Sequence, residues 1–240
     1  MTPADLYTLF RAEVNDREQT YLWSDTEVYS YMDDAQKMFC RLGGGISDAT
    51  TTAVTTIAVP AGTEYVDIDK RILKIRSVRR ADDRDVELMN FEDIQYGAAR
   101  GTNTYGSADL RLNAVPGAIQ GIVLGMEANK ARLVQIPAKI DTLRLVVYRL
   151  PLTTLVSGST TIEIDEQHHR HLLLWMKHLA HMKQDAETYD RGRADSFAAM
   201  YVSYCAQAKG EREKREHKYR SVGYGGIAMG AGSAAPNSYY

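Results

Sequence analysis

The sequence has few residues that bridge, bend or span. Its 240 residues include two cysteines, six prolines and four phenylalanines. No apolar run approaches the roughly 18 residues needed to cross a bilayer, so no membrane-spanning helix is expected. Cys40 and Cys205 fall on apolar faces of expected helices and read as buried free thiols rather than a disulfide. Excess charge of one sign is missing as well. Twenty-nine basic residues meet 31 acidic ones, for a net charge of −2, which argues against a general nucleic-acid binder. The start, Met1-Thr2-Pro3-Ala4-Asp5-Leu6, lacks a basic region followed by an apolar core, so no secretory signal is expected and a reducing cytoplasm is the expected setting.

Catalytic signatures are equally scarce. There is no Gly-x-Ser-x-Gly elbow and no His-Glu-x-x-His pair. Gly43-Gly44-Gly45 lacks the Lys-Ser/Thr of a phosphate loop and reads as a helix stop. His168-His169-Arg170-His171, with His178 and His181 downstream, is the sharpest cluster. A stable zinc site needs three or four convergent ligands with fixed partners behind them. The spacing does not offer that, and Leu172, Trp175 and Leu179 lie on the same side. The competing reading from this cluster is a metal-dependent hydrolase. The preferred expectation is no catalytic residue, no metal and no cofactor.

What the chain does have is a well-specified helix start. In Trp23-Ser24-Asp25-Thr26-Glu27-Val28, Ser24 is an N-cap and Glu27 can reach back to its amide, forming a capping box. Trp23 and Val28 are placed as the hydrophobic staple. Asp25 and Glu27 face the positive end of the helix dipole. Tyr31, Met32, Ala35, Met38, Phe39 and Leu42 then recur at helical spacing up to Gly43. An earlier helix spans Pro3 to Val14. A third is expected from Asp165 to about Tyr189, and a fourth from about Arg193 to Lys214, with Phe197, Met200, Tyr201, Tyr204, Cys205 and Ala208 as its stripe.

Between these helices the period changes. Val54–Val59, Tyr65–Ile68, Ile72–Val78, Ile119–Met126, Arg132–Ile136 and Leu143–Leu150 are short and rich in β-branched residues, with turn signals between them. Phe91-Glu92-Asp93-Ile94 reads as one helical turn and Gly101–Ser107 as a loop. The expected fold class is α+β: a helical bundle from both chain ends, an inserted antiparallel β domain and an extended C-terminal tail. The bounds are residues 1–48 and 161–216 for the bundle, 49–160 for the β domain and 217–240 for the arm. Phe10, Met32, Phe39, Leu172, Trp175, Leu179, Phe197 and Tyr201 are its expected core. Pro151 should end the last strand, and Arg149 beside it should find an acidic or carbonyl partner. From Ser221 the chain is Gly, Ala, Ser and Tyr with almost no charge, too little apolar surface to fold alone.

Three stretches resemble the head-to-tail adaptor proteins of tailed bacteriophages, similar to the tail tubular proteins of short-tailed phages. The first runs from Leu9-Phe10-Arg11 through Trp23-Ser24-Asp25 and Glu27 to Asp33-Asp34-Ala35-Gln36, Phe39-Cys40-Arg41, Ile46 and Asp48. The second runs from Val134 and Ile136-Pro137-Ala138 through Leu143, Leu145 and Val147 to Tyr148-Arg149-Leu150-Pro151-Leu152 and Leu155. The third joins His168, Leu172, Leu173 and Trp175 to Asp185 or Asp190 and then Phe197. The extra histidines, Asp165 in place of a proline-led helix start, and the tail depart from the pattern. The resemblance implies a virion protein assembled in the host bacterial cytoplasm. It implies a dodecameric homo-oligomeric ring between the portal protein and a tail or nozzle protein, with double-stranded DNA passing through and no membrane contact. Another neck component, a stopper or tail-completion protein, is the second alternative. The tail, with Tyr219, Tyr224, Tyr239 and Tyr240 as anchors, is expected to be disordered in the free subunit and ordered against the portal or a neighbour. Arg149 joins these residues as a candidate interface position.

Overall fold

The structure is a computed structural model that describes residues 1–92, 116–158, 160–184 and 188–216. It is mixed α+β, with several helices and one curled sheet. Helix α1 (Pro3–Glu13) starts with Pro3 in its first turn and a capping box between Thr2 and Asp5. That signal stood in the sequence unread. Helix α2 (Asp25–Gly43) starts with the Ser24–Glu27 box: Glu27 N donates to Ser24 Oγ at 3.3 Å, and Ser24 N donates to Glu27 Oε2 at 2.7 Å. It stops one residue past the expected glycine. Gly44, at φ +93°, takes the left-handed conformation that costs glycine little.

Strand β1 (Ile46–Asp48), helix α3 (Thr52–Thr55), β2 (Thr56–Val59), β3 (Tyr65–Asp67), β4 (Ile72–Arg80), β5 (Asp85–Asn90), β6 (Gly121–Glu127), β7 (Lys130–Val134) and β8 (Asp141–Arg149) build the sheet. Its order is β1-β8-β4-β5-β6-β7-β3, with β2 also on β8. Bulges in β4 after Ile72 and Ile75 bend the sheet. The strands bury their inward residues together, including Val59, Ile75, Val78, Ile122, Leu133 and Leu143.

Two features correct the expectation. The sheet is not wholly antiparallel, because β5 pairs with β6 in parallel, Glu87 opposite Gly121. A parallel pair needs a long crossover, and residues 91–120 supply one. Strands β1 and β5 were also unforeseen. β1 has three residues inside the stretch given to the helices, and β5 follows an acidic turn that masks its Val86 and Met89. The expected loop at Gly101–Ser107 lies outside the described residues, as do Asp93 and Ile94 of the expected helical turn beginning at Phe91.

After β8 come α4 (Glu166–His169), α5 (Leu172–Met182) and α6 (Arg191–Glu216). The single third helix is therefore two. Bonds from His171 N to His168 O, Leu173 N to Arg170 O and Leu174 N to His171 O tighten the backbone between α4 and α5. α5 also ends at Met182, well short of Tyr189. Carbonyls at its end find other donors: the Trp23 indole on Ala180 O at 3.3 Å and the Asp190 amide on His181 O at 3.1 Å. No glycine or proline announces this stop. Asp190 caps α6, accepting from Arg193 N at 3.0 Å. Leu6, Phe10, Trp23, Val28, Met32, Leu172 and Tyr201, from both ends of the chain, share one buried cluster. Each large side chain fully buried there contributes about 1.5–3 kcal/mol.

Candidate functional site

Where β8 gives way to the helices, a polar network ties the two layers together. Pro151 has no N–H to donate to a ladder, so the chain leaves the sheet after Arg149. Arg149 Nε donates to Asp48 Oδ2 at 2.6 Å. Its Nη1 donates to Glu163 Oε2 at 2.6 Å and to Leu150 O at 3.1 Å. Glu163 Oε1 accepts from the Leu152 and Thr153 amides, both at 2.7 Å. Two polar residues of α2 reach the same segment: Gln36 Oε1 accepts from Glu163 N at 2.8 Å, and Asp33 Oδ1 from Leu155 N at 3.0 Å. Asp48 Oδ1 closes its own turn through the Thr50 and Thr51 amides at 2.9 and 3.0 Å.

Burial alone would raise both carboxyls. For Asp48 the hydrogen bonds from Thr51, Arg149 and Thr50 override it and hold the group well below the usual carboxylate range. For Glu163 the Arg149 guanidinium and the Thr153 and Leu152 amides do the same. Burial in turn opposes the charge on Arg149, yet Asp48 and Glu163 hold it protonated. The network joins the end of the sheet to α2 and to the segment leading into α4. Sequence reasoning named Arg149 and missed its partners Asp48 and Glu163, as well as Asp33 and Gln36, which hold the adjoining segment. The signal was Asp33 and Gln36, polar residues beside the apolar stripe of Met32 and Phe39.

Of the expected core residues, Phe10, Met32, Phe39, Leu172 and Tyr201 lie inside the helical cluster. Tyr201 donates its hydroxyl to Ala35 O at 2.7 Å. Trp175 is half-buried, its indole N–H on Asp34 Oδ2 at 2.8 Å and its ring 5.4 Å from Tyr201. Leu179 and Phe197 are also half-buried, and Phe197 stacks on His181 at 5.9 Å. The buried positions of α5 are Leu172, Leu173, Met176 and Ala180. Its inward stripe is thus turned one position from the one expected, because Leu172 to Met176 is apolar without a break.

The histidines are spread over protein partners. His168 Nδ1 meets the Tyr204 hydroxyl at 2.8 Å, and His169 meets the Met1 and Ile164 carbonyls at 2.9 and 2.8 Å. His171 stacks flat on Tyr204 at 3.5 Å, and His178 Nδ1 meets Ala194 O at 2.9 Å. Among the described residues no three His, Cys, Asp or Glu side chains gather where they could hold a metal ion. Cys40 and Cys205 are free and buried.

Tyr219, Tyr224, Tyr239 and Tyr240 lie outside the described residues. Of the candidate interface residues, the structure therefore places Arg149 alone, inside the junction. The SU10 adaptor protein family model matches residues 1–225. The chain belongs to the SU10 adaptor protein family. No curated protein matches it. Membership supports a structural role for this adaptor as a phage head-to-tail adaptor, a virion component. It points to portal and tail proteins as partners and implies a non-enzymatic function. The match runs past Phe197, the last residue quoted for the resemblance, to residue 225, and so takes in Tyr219 and Tyr224 but not Tyr239 and Tyr240. Among the described residues no helix is long and apolar enough to cross a membrane.

Proposed function

We propose that this adaptor forms a homo-oligomeric ring, a dodecamer, below the portal, joining capsid to tail and lining the channel for DNA. The observation that carries this reading is the family match over residues 1–225. The helices of residues 1–48 and 161–216 act in it as one bundle and residues 49–160 as an inserted β domain, with 217–240 as an assembly arm. The subunits assemble in the host bacterial cytoplasm and meet the portal on one face and a tail or nozzle protein on the other. A net charge of −2 suits a conduit for double-stranded DNA. Each phosphate neutralised by a basic lumen would add salt-dependent affinity and slow passage. Ring closure needs heterologous contacts, in which one face meets a different face of the next copy.

Within this ring Arg149 sets the angle between bundle and β domain, and Tyr219, Tyr224, Tyr239 and Tyr240 anchor the arm on the portal or a neighbour. Tyrosine suits that task, since it joins apolar area to a polar tip at wet interfaces. Electron microscopy of the purified protein mixed with portal rings tests the ring: a twelve-fold collar on one portal face is expected. A ring of different order, or one stacked away from the portal, would assign the chain to another neck component. Co-sedimentation tests the arm. The chain truncated after Lys218 should dock on portals at least about tenfold more weakly, as loss of aromatic anchors predicts. Equal docking of the two forms would remove the arm from the reading.

A further inference from the structure

A cavity of about 330 Å³ opens at the C-terminal end of α6, between the helices and β1. Its floor is apolar, with Phe39, Cys40, Ile164 and Ala208 among its lining residues. Its rim carries both signs of charge: Asp165 and Glu216, with Glu163 already held by Arg149, stand beside Arg212, Arg215 and the ring of His168. Arg212 is pinned by Nη1, which donates to Gly45 O at 2.7 Å. Its Nε is buried with no hydrogen-bond partner among the described residues, and its ion-pair partner Glu216 Oε1 stands 3.7 Å away, beyond hydrogen-bond reach. A buried donor left unpaired carries a penalty that an acceptor from outside can relieve.

We propose that this cavity is the socket for the tyrosine-bearing tail, residues 217–240, of a neighbouring copy. The inference rests on the reading of that tail as an assembly arm and names its receptor. Charge selects the occupant. Glu163 is already spent on Arg149, which leaves two carboxylates against two guanidiniums, so the rim favours neither an anion nor a cation. A neutral group that both accepts and donates suits the rim, and a flat ring suits the floor. A phenol is such a group. From Ser221 to Tyr240 the side chains carry no charge, and tyrosines supply all the aromatic rings.

Reach is sufficient. Glu216 ends α6 and lines the cavity, so each tail begins at the rim of its own socket. Twenty-four residues follow it, and a chain of that length spans about 27 Å as a coil and up to about 80 Å extended. A folded body of roughly 200 residues has a radius of gyration of about 16 Å, which sets touching neighbours roughly 40 Å apart. An arm and a socket on every copy make a heterologous pair, the kind that closes a ring. A tail placed in its own socket links nothing.

The test uses the full-length protein assembled on portal rings from a mixture of isotopically labelled and unlabelled copies. A photoreactive benzoylphenylalanine replaces Tyr239 or Tyr240. The expected result is crosslinking to peptides containing Phe39 or Ala208, joining labelled to unlabelled copies. Ser47→Trp, at an exposed position on the cavity wall, should plug the mouth and cut the yield about tenfold, as loss of an anchor's pocket predicts. Ala208→Met fills the floor from the helix side and serves as the plug if Ser47→Trp fails to fold. Crosslinks confined to one copy, or yields that no folded plug changes, overturn the socket. Crosslinks to the portal alone overturn the socket and leave the assembly arm standing. No tail crosslink at all, with full docking of the chain truncated after Lys218, overturns both.

Discussion

Arg149→Ala removes the centre of the junction, and the size of its effect follows from the bonds lost. Two are charge-assisted at 2.6 Å, to Asp48 and Glu163, and one is to the Leu150 carbonyl at 3.1 Å. Bonds to charged groups contribute about 1.5–3 kcal/mol each. The greater harm is to the partners left behind, since Asp48 is 7% exposed and would be a buried charge without its cation. Breaking such a pair from one side costs about 3–5 kcal/mol, which is the expected loss near pH 7. The effect should depend on pH with a definite sign. Asp48 and Glu163 are both held below the usual carboxylate range. Such groups add stability that is fully present above their unfolded value of about 4 and lost as the pH falls through the lower folded value. The difference between wild type and variant should therefore be largest above about pH 5 and shrink in acid. Arg149→Lys should recover part of the loss, because one ammonium cannot fork between two carboxylates. Urea titrations followed by circular dichroism at several pH values supply the measurement. A loss below about 1 kcal/mol, or one that is the same across the acid range, would refute the reasoning.

Other expectations follow from the helices. Phe10→Ala should cost about 3–5 kcal/mol and Trp175→Ala, half-buried, about 2–3 kcal/mol; denaturant titration giving the reverse order would count against the placement of α5. Ser24→Ala should cost about 1 kcal/mol through the lost cap on α2, read in the same titration. Burial pushes the Cys40 thiol up to about 12 and the Cys205 thiol up to about 11. Neither should react with a thiol reagent near pH 8 in the folded protein, and both should react in denaturant. A rapidly labelled cysteine in the native state would show that its helix face is open.

Legibility in the sequence followed the strength of local signals. The start of α2 was readable to the residue, because Ser24, Glu27, Trp23 and Val28 each point to the same boundary through a separate effect. The strands near Ile72 and Leu143 were readable from β-branched runs. The parallel pairing of β5 with β6 was not, since pairing direction depends on where a long crossover returns and not on composition. The inward stripe of α5 was misplaced by one position because Leu172 to Met176 is apolar without a break, and only Lys177, His178 and His181 further along mark its outer face. The end of α5 was invisible for a different reason. Its carbonyls bond to Trp23 and Asp190, and a stop made by such tertiary partners leaves no local punctuation. The junction was half readable: Arg149 just before Leu150-Pro151 suggested an acidic or carbonyl partner, but its carboxylate partners lie 101 and 14 residues away.

That network ties the helices to the sheet where the chain crosses between them. The chain passes from helix to sheet at Gly44-Gly45 and returns at Arg149-Leu150, a pair of crossings that would act as a hinge if left alone. Each crossing is tied. At the first, Arg212 from α6 holds the Gly45 carbonyl so closely that a Cβ on Gly44 would lie 1.9 Å from its Nη2. At the second, Arg149 gathers a carboxylate from β1 and another from the segment leading into α4, while α2 holds that segment through Asp33 and Gln36. Buried ion pairs contribute little net stability against well-packed apolar residues, so stability alone does not account for this one. Directional bonds to fixed partners do what apolar packing does poorly, which is to select one orientation among several of similar burial. A subunit that must match identical neighbours around the proposed ring needs that selection, because an angular error at one junction repeats at every subunit and keeps the ring from closing.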